Sequence, residues 1–203
     1  MSERDQTVRG GDREPADPPP GWAARLLAAG RVARMATVDG EGRPSVVAIC
    51  YVLDDDEAPG VLYTPIDAKP KSTRRLRRVR DLEASSHVSI LVDRWDDEDW
   101  TRLRWVRARG RGVVLEPEDA AADAERRAAL GALRAKYPQY ASPEEGGDGV
   151  GAGRVPLADD APVIRVALDE LVGWRFAAEP GDEGGTEDGT EDPAEGDAPG
   201  GDR

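Results

Sequence analysis

Hydrophobic positions along the chain fall into short blocks separated by turn-forming residues, and their period changes from block to block. In "GWAARLLAAG", Trp22, Leu26 and Leu27 recur at i, i+4 and i+5, a helical spacing closed by Gly30. From Arg31 the pattern becomes strand-like, over Val32 to Val38, and "DGEGRP" then makes a turn. "SVVAICYVL", residues 45–53, is apolar without interruption; its length and β-branched content predict one strand buried on both faces. "GVLYTPI" is a third strand. Leu76, Val79 and Leu82 form a narrow apolar stripe that predicts a helix over 72–84, with Ser72 or Thr73 as its cap. Strands follow over 87–95 and 102–115. A helix over 117–136 opens with acids and closes with bases, as the helix dipole prefers. A Gly-rich loop (142–160) leads to a last strand over 162–168 and a final turn carrying Trp174.

Six strands with hairpin-like links and two principal helices do not alternate as a parallel βα sheet requires. The order predicts a mainly β fold, a small antiparallel β-barrel with flanking α-helices. The ends differ from this core. Residues 179–203 contain no aromatic or large aliphatic side chain, and residues 1–21 end in Pro18, Pro19 and Pro20. Neither can bury enough apolar surface to offset ordering entropy. We expect a disordered Pro-rich N-terminal segment (1–21), one domain over 22–178 and a disordered acidic C-terminal tail (179–203). Deleting residues 179–203 is expected to leave the melting temperature nearly unchanged; a large drop in a thermal scan would mean that the tail docks on the domain.

Charge sharpens the picture at one place. The chain has 41 acidic and 28 basic side chains, a formal net charge of -13, yet two lysines and five arginines lie between Lys69 and Arg80. Such a cluster meets an anion or only solvent. A nucleic-acid partner is disfavoured by the acidic whole, with an isoelectric point near 4.6, and by the absence of a binding motif around the basic run. A membrane surface is disfavoured by the narrow apolar stripe, and no run of 18 apolar residues exists. A helix start favours anions, and Thr64, Lys69, Lys71, Ser72, Thr73 and Arg74 can bring hydroxyls and cations to one place. Together they could form a cradle for one phosphate, without the Walker motif; an Arg-rich surface helix that offers only solvation and pairing to an acidic body is the other reading of the same residues.

Other chemistry is sparse. One cysteine (Cys50) and one histidine (His87) exclude an internal disulfide and argue against a Cys/His zinc site. No basic and apolar leader is visible in the first thirty residues, and the cysteine usage fits a reducing cytoplasm. Asp96, Asp97, Glu98 and Asp99 lack the EF-hand pattern and read as a solvated loop. Trp95, Trp100 and Trp105 match neither period, and a subunit interface is the favoured place for them. Tyr51, Tyr63 and Asp67 are read as structural, and no residue is assigned a catalytic role.

"RVARMATVDGEGRPSVVAICYVL", "LYTPIDAKPKSTRRLRRVRDLEASSHVSILVDRW" and "WVRARGRGVVLE" resemble the flavin-binding split-barrel superfamily, the pyridoxamine 5'-phosphate oxidase-like group. Within it they resemble the actinobacterial branch of oxidoreductases that use the deazaflavin coenzyme F420. The resemblance runs from about Ala23 to Phe176. It implies a six-stranded antiparallel split β-barrel of Greek-key type that forms a homodimer, with the cofactor in a groove between subunits. It implies phosphate contacts from Thr64, Lys69, Lys71, Ser72, Thr73 and Arg74, and backbone contacts to the ring system from Val46, Val47 and Ala48. Trp174 matches a late tryptophan of the branch and would wall the pocket from either subunit. The expected activity is hydride transfer to or from a small organic substrate with F420, or with FMN in the same fold.

Overall fold

A computed structural model describes residues 21–54, 60–66, 76–140 and 155–176. In chain order the elements are α1 (Gly21–Ala29), β1 (Ala33–Val38), β2 (Pro44–Ile49), β3 (Val52–Asp54), β4 (Val61–Pro65), α2 (Arg77–Ala84), β5 (His87–Arg94), β6 (Arg104–Leu115), α3 (Asp123–Lys136) and β7 (Val163–Arg175). All seven strands join one antiparallel sheet in the order β2-β1-β5-β6-β7-β4-β3.

That order dictates the shape. The two end strands, β2 and β3, follow one another in sequence with only Cys50 and Tyr51 between them. A flat seven-stranded sheet would hold its ends about 29 Å apart, at the usual strand spacing. Two linking residues span at most about 11 Å. The sheet therefore curls on itself and closes as a split barrel, with the split at Cys50-Tyr51.

The same break explains the extra strand. The apolar run 45–53 is not one strand buried on both faces. It serves two cores in succession: Tyr51 packs in a cluster with Leu27, Met35, Ile90 and Val106, whereas Val52 packs with Leu115, Leu130, Leu133 and Val163. Tyr137 fixes the crossing. Its hydroxyl accepts the Tyr51 amide at 3.0 Å and lies 2.7 Å from the Tyr51 carbonyl and 2.8 Å from that of Arg31.

Three other boundaries differ from expectation. α2 has Leu76 as its N-cap, so its cap is neither Ser72 nor Thr73. α3 starts at Asp123 rather than 117; residues before it form turns held by the Asp119 carboxylate on the Ala121 amide. β7 runs to Arg175 instead of ending at 168, which places Trp174 in a strand and not in a turn. Residues 1–20 and 177–203 lie outside the described residues, as does most of the Gly-rich loop. Among the described residues no helix is long and apolar enough to cross a membrane.

Glycines mark close approaches within the barrel. A side chain at Gly30 would meet the Tyr51 hydroxyl at 2.4 Å, so this position after α1 serves packing as well as helix termination. On β6, Gly110 lies where the register with β7 jumps from Arg109↔Glu170 to Gly110↔Leu168, a bulge that makes Asp169 the extra residue.

Candidate functional site

β2 ends the sheet, so one side of its backbone has no strand partner among the described residues. Alternation turns Val46 and Ala48 outward and Val47 toward the first core. Val46 is 62 % exposed, a large value for valine inside a strand. The outward residues continue across the sheet: Ala48 stands beside Arg34, Arg34 beside Leu91, Leu91 beside Arg107 and Arg107 beside Val172. This face mixes apolar side chains with ion pairs. Arg34 pairs with Asp93, and Glu170 takes Arg109 at 3.0 Å with Arg107 at 3.8 Å. Half-exposed pairs such as these contribute about 0–1 kcal/mol each. They serve to keep an otherwise apolar face polar.

Trp174 is on the same face of β7, opposite Trp105 of β6, and is 43 % exposed. Four strand spacings separate β7 from β2, about 19 Å along the sheet. Within one chain the structure thus does not bring Trp174 to Val46, Val47 and Ala48. Trp95 and Trp100 stand at the far tip of the β5–β6 hairpin, with ring centroids 5.2 Å apart and both rings largely exposed. The acidic loop between them is organised by its own backbone: Asp96 accepts the amides of Glu98 and Asp99, and Asp99 accepts that of Thr101.

The expected phosphate cradle is only partly within the described residues. Thr64 is 1 % exposed, on β4 opposite Ile164. The end of β4 does meet the start of α2, where Arg78 Nη2 lies 3.5 Å from the Pro65 carbonyl. Lys69, Lys71, Ser72, Thr73 and Arg74 lie outside the described residues. What is visible of the helix start is electrostatically unusual. Leu76 offers no side-chain cap, the first turn has no acid, and it carries Arg77 and Arg78. The positive end of a helix dipole disfavours cations, so this start is more positive than helix stability alone would select.

On the other flank of α2, Asp39, Gly40, Arg43, Arg77, Arg80 and Asp81 line a cavity of about 660 Å³. Sequence reading missed this group. Asp39 accepts the amides of Glu41 and Arg43 and the Arg43 Nε at 2.9 Å, with Arg77 Nη2 at 3.5 Å. The bonds from Arg43, backbone first, hold the Asp39 carboxyl below its ordinary value. Asp81 is 2 % exposed and takes the Thr37 hydroxyl at 2.6 Å, which ties α2 to β1. Asp81 lies between Arg80 and Leu82, off the Leu76, Val79 and Leu82 stripe, so its sequence position marks it as a surface acid. Tyr137, which pins the split, had no sequence signal either, because its partners are backbone groups 86 and 106 residues away.

No group of three or more His, Cys, Asp or Glu side chains that could hold a metal ion occurs among the described residues. His87 is exposed beside Ser85, and Cys50 is half-buried at the split.

Comparison with known proteins follows the geometry. No curated protein matches the chain. A FAD-binding protein from Mesorhizobium loti superposes with a TM-score of 0.51 at 20 % identity, over 75 % of this chain and 91 % of that one. A conserved hypothetical protein from Mycobacterium tuberculosis gives 0.51 at 17 % identity, over 82 % and 90 %. An F420 reductase gives 0.44 at 19 % identity, over 73 % and 94 %, too slight a likeness to argue from. At these identities the overlap establishes the fold alone. Residues 23–152 match the sequence profile of pyridoxamine 5'-phosphate oxidase, and that span runs from within α1 to beyond α3 and holds both strands that flank the split and the basic run. The chain belongs to the pyridoxamine 5'-phosphate oxidase family.

Proposed function

We propose that the chain is an oxidoreductase that binds coenzyme F420 and works on a small organic substrate as a homodimer. The observation that carries this reading is the combination of an outward-facing β2 edge, without a strand partner among the described residues, and a cation-loaded helix start in a member of this family. The edge fits a planar heteroaromatic ring: free amides and carbonyls of alternate residues meet its polar rim, and Val46 and Ala48 give an apolar support. The start of α2 fits a phosphate, whose charge would relieve the repulsion between Arg77, Arg78 and the helix dipole.

When bound, the cofactor supplies the hydride transfer itself. The chain's part is to bind, orient and exclude water. Val46, Val47 and Ala48 would hold the ring through the backbone. Thr64, Lys69, Lys71, Ser72, Thr73 and Arg74 would hold the phosphate. Trp174, about four strands from β2 within its own chain, would wall the pocket of the partner subunit, which gives the dimer a functional reason. FMN is the second reading, as the alternative redox cofactor of the same fold.

The test is a titration of the purified protein with F420 and with FMN, followed by a reductase screen with whichever binds. Quenching of F420 fluorescence at micromolar protein supports the first reading. A yellow protein with a flavin spectrum supports FMN, and binding without turnover of any substrate would mark a cofactor-binding protein. Lys69→Ala with Lys71→Ala is expected to weaken cofactor binding by about tenfold or more, the scale of charge-assisted contacts to phosphate. The melting temperature of the cofactor-free protein should stay within about 2 °C, as for ordinary surface changes. Unchanged affinity would remove the phosphate assignment.

A further inference from the structure

We propose that the tip of the β5–β6 hairpin is a docking surface for an arginine-rich segment of a partner protein. Trp95 and Trp100 are 53 % and 62 % exposed there, on a turn that is otherwise well ordered by its own contacts. Two large indoles open to water gain from being covered, and tryptophan is enriched where partners bind most strongly. The rings are held before anything docks. The Trp95 indole donates to Asp97, and Asp96 accepts the Glu98 and Asp99 amides, each at 3.1 Å. Arg102 bridges Asp96 at 3.2 Å and Asp99 at 3.4 Å. Little ordering entropy is then left to lose on binding.

Charge selects the class of partner. Residues 95–102 hold four acids and one base, Arg102, which is taken up by Asp96 and Asp99. Among the described residues the Asp97 carboxylate meets only the Trp95 indole, and the exposed Glu98 carboxylate has no cation beside it. Arg94 alternates with Val92 onto the other face of β5. Arg104 and Arg175, paired in register on the next strands, are already engaged, Arg175 over the Trp22 ring at 5.1 Å. The Phe176 amide donates to the Leu103 carbonyl at 3.1 Å, and the chain that continues from this point, residues 177–203, carries ten acids and one arginine. A nucleic acid or an anionic membrane meets repulsion here, and a cationic segment meets attraction. Ring geometry narrows the choice. The two centroids are 5.2 Å apart with the planes tilted by 56°. A cation held between two ring faces needs about 7 Å, two carbon contact distances, so the pair does not enclose a small ammonium. The outer ring faces stay open, and planar guanidinium groups stack on them while their N–H groups reach Asp97 and Glu98. Arginines spaced along one chain meet both rings at once. The surface shares no residue with the cofactor reading and stands without it.

The probe is a capped peptide that alternates arginine with glycine, titrated into the full chain while the five indole N–H signals are followed by NMR. The same peptide with glutamate in place of arginine is the charge control, and phosphatidylcholine vesicles test a lipid surface. The expected result is saturable movement of the Trp95 and Trp100 signals with the arginine peptide alone, with Trp22 unmoved. Anisotropy of the labelled peptide should show affinity falling about tenfold in Trp95→Ala with Trp100→Ala, the scale of two exposed cation–π contacts. It should fall about threefold in Asp97→Asn with Glu98→Gln, the scale of exposed ion pairs. This second variant keeps both rings and the acceptor for the Trp95 indole, so it carries the test if the first melts low. The proposal is overturned by the absence of saturable shifts, by equal shifts with the glutamate peptide, or by an affinity that either folded variant leaves unchanged. Indole shifts with vesicles and not with the peptide, or a smaller oligomer for the tryptophan variant, overturn it as well, in favour of a lipid surface or of a contact between copies.

Discussion

Gly110→Ala is expected to destabilise the chain by about 3 kcal/mol, the upper end of the usual cost of overpacking. At this chain length that lowers the melting temperature by about 6–12 °C. The reason is the bulge between β6 and β7. A Cβ on Gly110 would stand 2.1 Å from the Ala167 carbonyl oxygen and 3.0 Å from the Leu168 Cα. Both are backbone atoms, in the strand pair that joins the two halves of the barrel, so no side-chain rotation relieves the clash. Gly131→Ala is the matched control. Gly131 is inside α3 with nothing within 4 Å of its added Cβ, and it is exposed. There the same substitution should stabilise by about 0.5–1 kcal/mol through helix propensity. Equal melting temperatures for the two variants would show that the β6–β7 approach is looser than described.

Tyr137→Phe is expected to cost about 2 kcal/mol, the price of leaving buried backbone groups without a partner. The ring and its packing with Tyr140, at 5.6 Å between centroids, survive the change. What disappears is one hydroxyl that serves the Tyr51 amide and stands against two carbonyls. That oxygen joins the C-terminal end of α3 to the split itself, so its loss should be felt on both sides. Burial also raises the Tyr137 phenol above its ordinary value, so it stays protonated well past neutral pH. The check is a denaturant titration with near-ultraviolet circular dichroism. An unchanged midpoint would mean that the β2–β3 crossing is held by the two cores alone.

The predicted elements and the observed ones agree where local pattern and tertiary role coincide. Leu26 and Leu27 are buried in α1, Val88, Ile90 and Val92 alternate inward along β5, and Val79 and Leu82 of the narrow stripe are buried under α2. Disagreement arises where one apolar run serves two places. Residues 45–53 read as a single buried strand because hydrophobicity records burial and not which core receives it. The outward Val46 and Ala48 look the same in sequence as the inward Val47. Asp81 reads as a surface acid and is buried, because Thr37 reaches it from β1, 44 residues away.

The candidate site divides in the same way. Its cations are legible, since charge density in a stretch of twelve residues is a local property. The face that receives a ring and the cavity beside Arg77 are not, since each joins segments far apart in the chain.

By itself, the sequence determined that this protein is an antiparallel β domain with flanking helices, that its basic cluster precedes and enters a helix, and that its chemistry lacks a metal or nucleophile signature. Periodicity, turn residues and charge are read within a few residues, and these features need nothing more. Only the tertiary structure decided where the barrel splits, which two strands end the sheet, and that Trp174 stands on a strand about four spacings from Val46 along the sheet. Those depend on strand order and register, which are set by contacts between residues tens of positions apart.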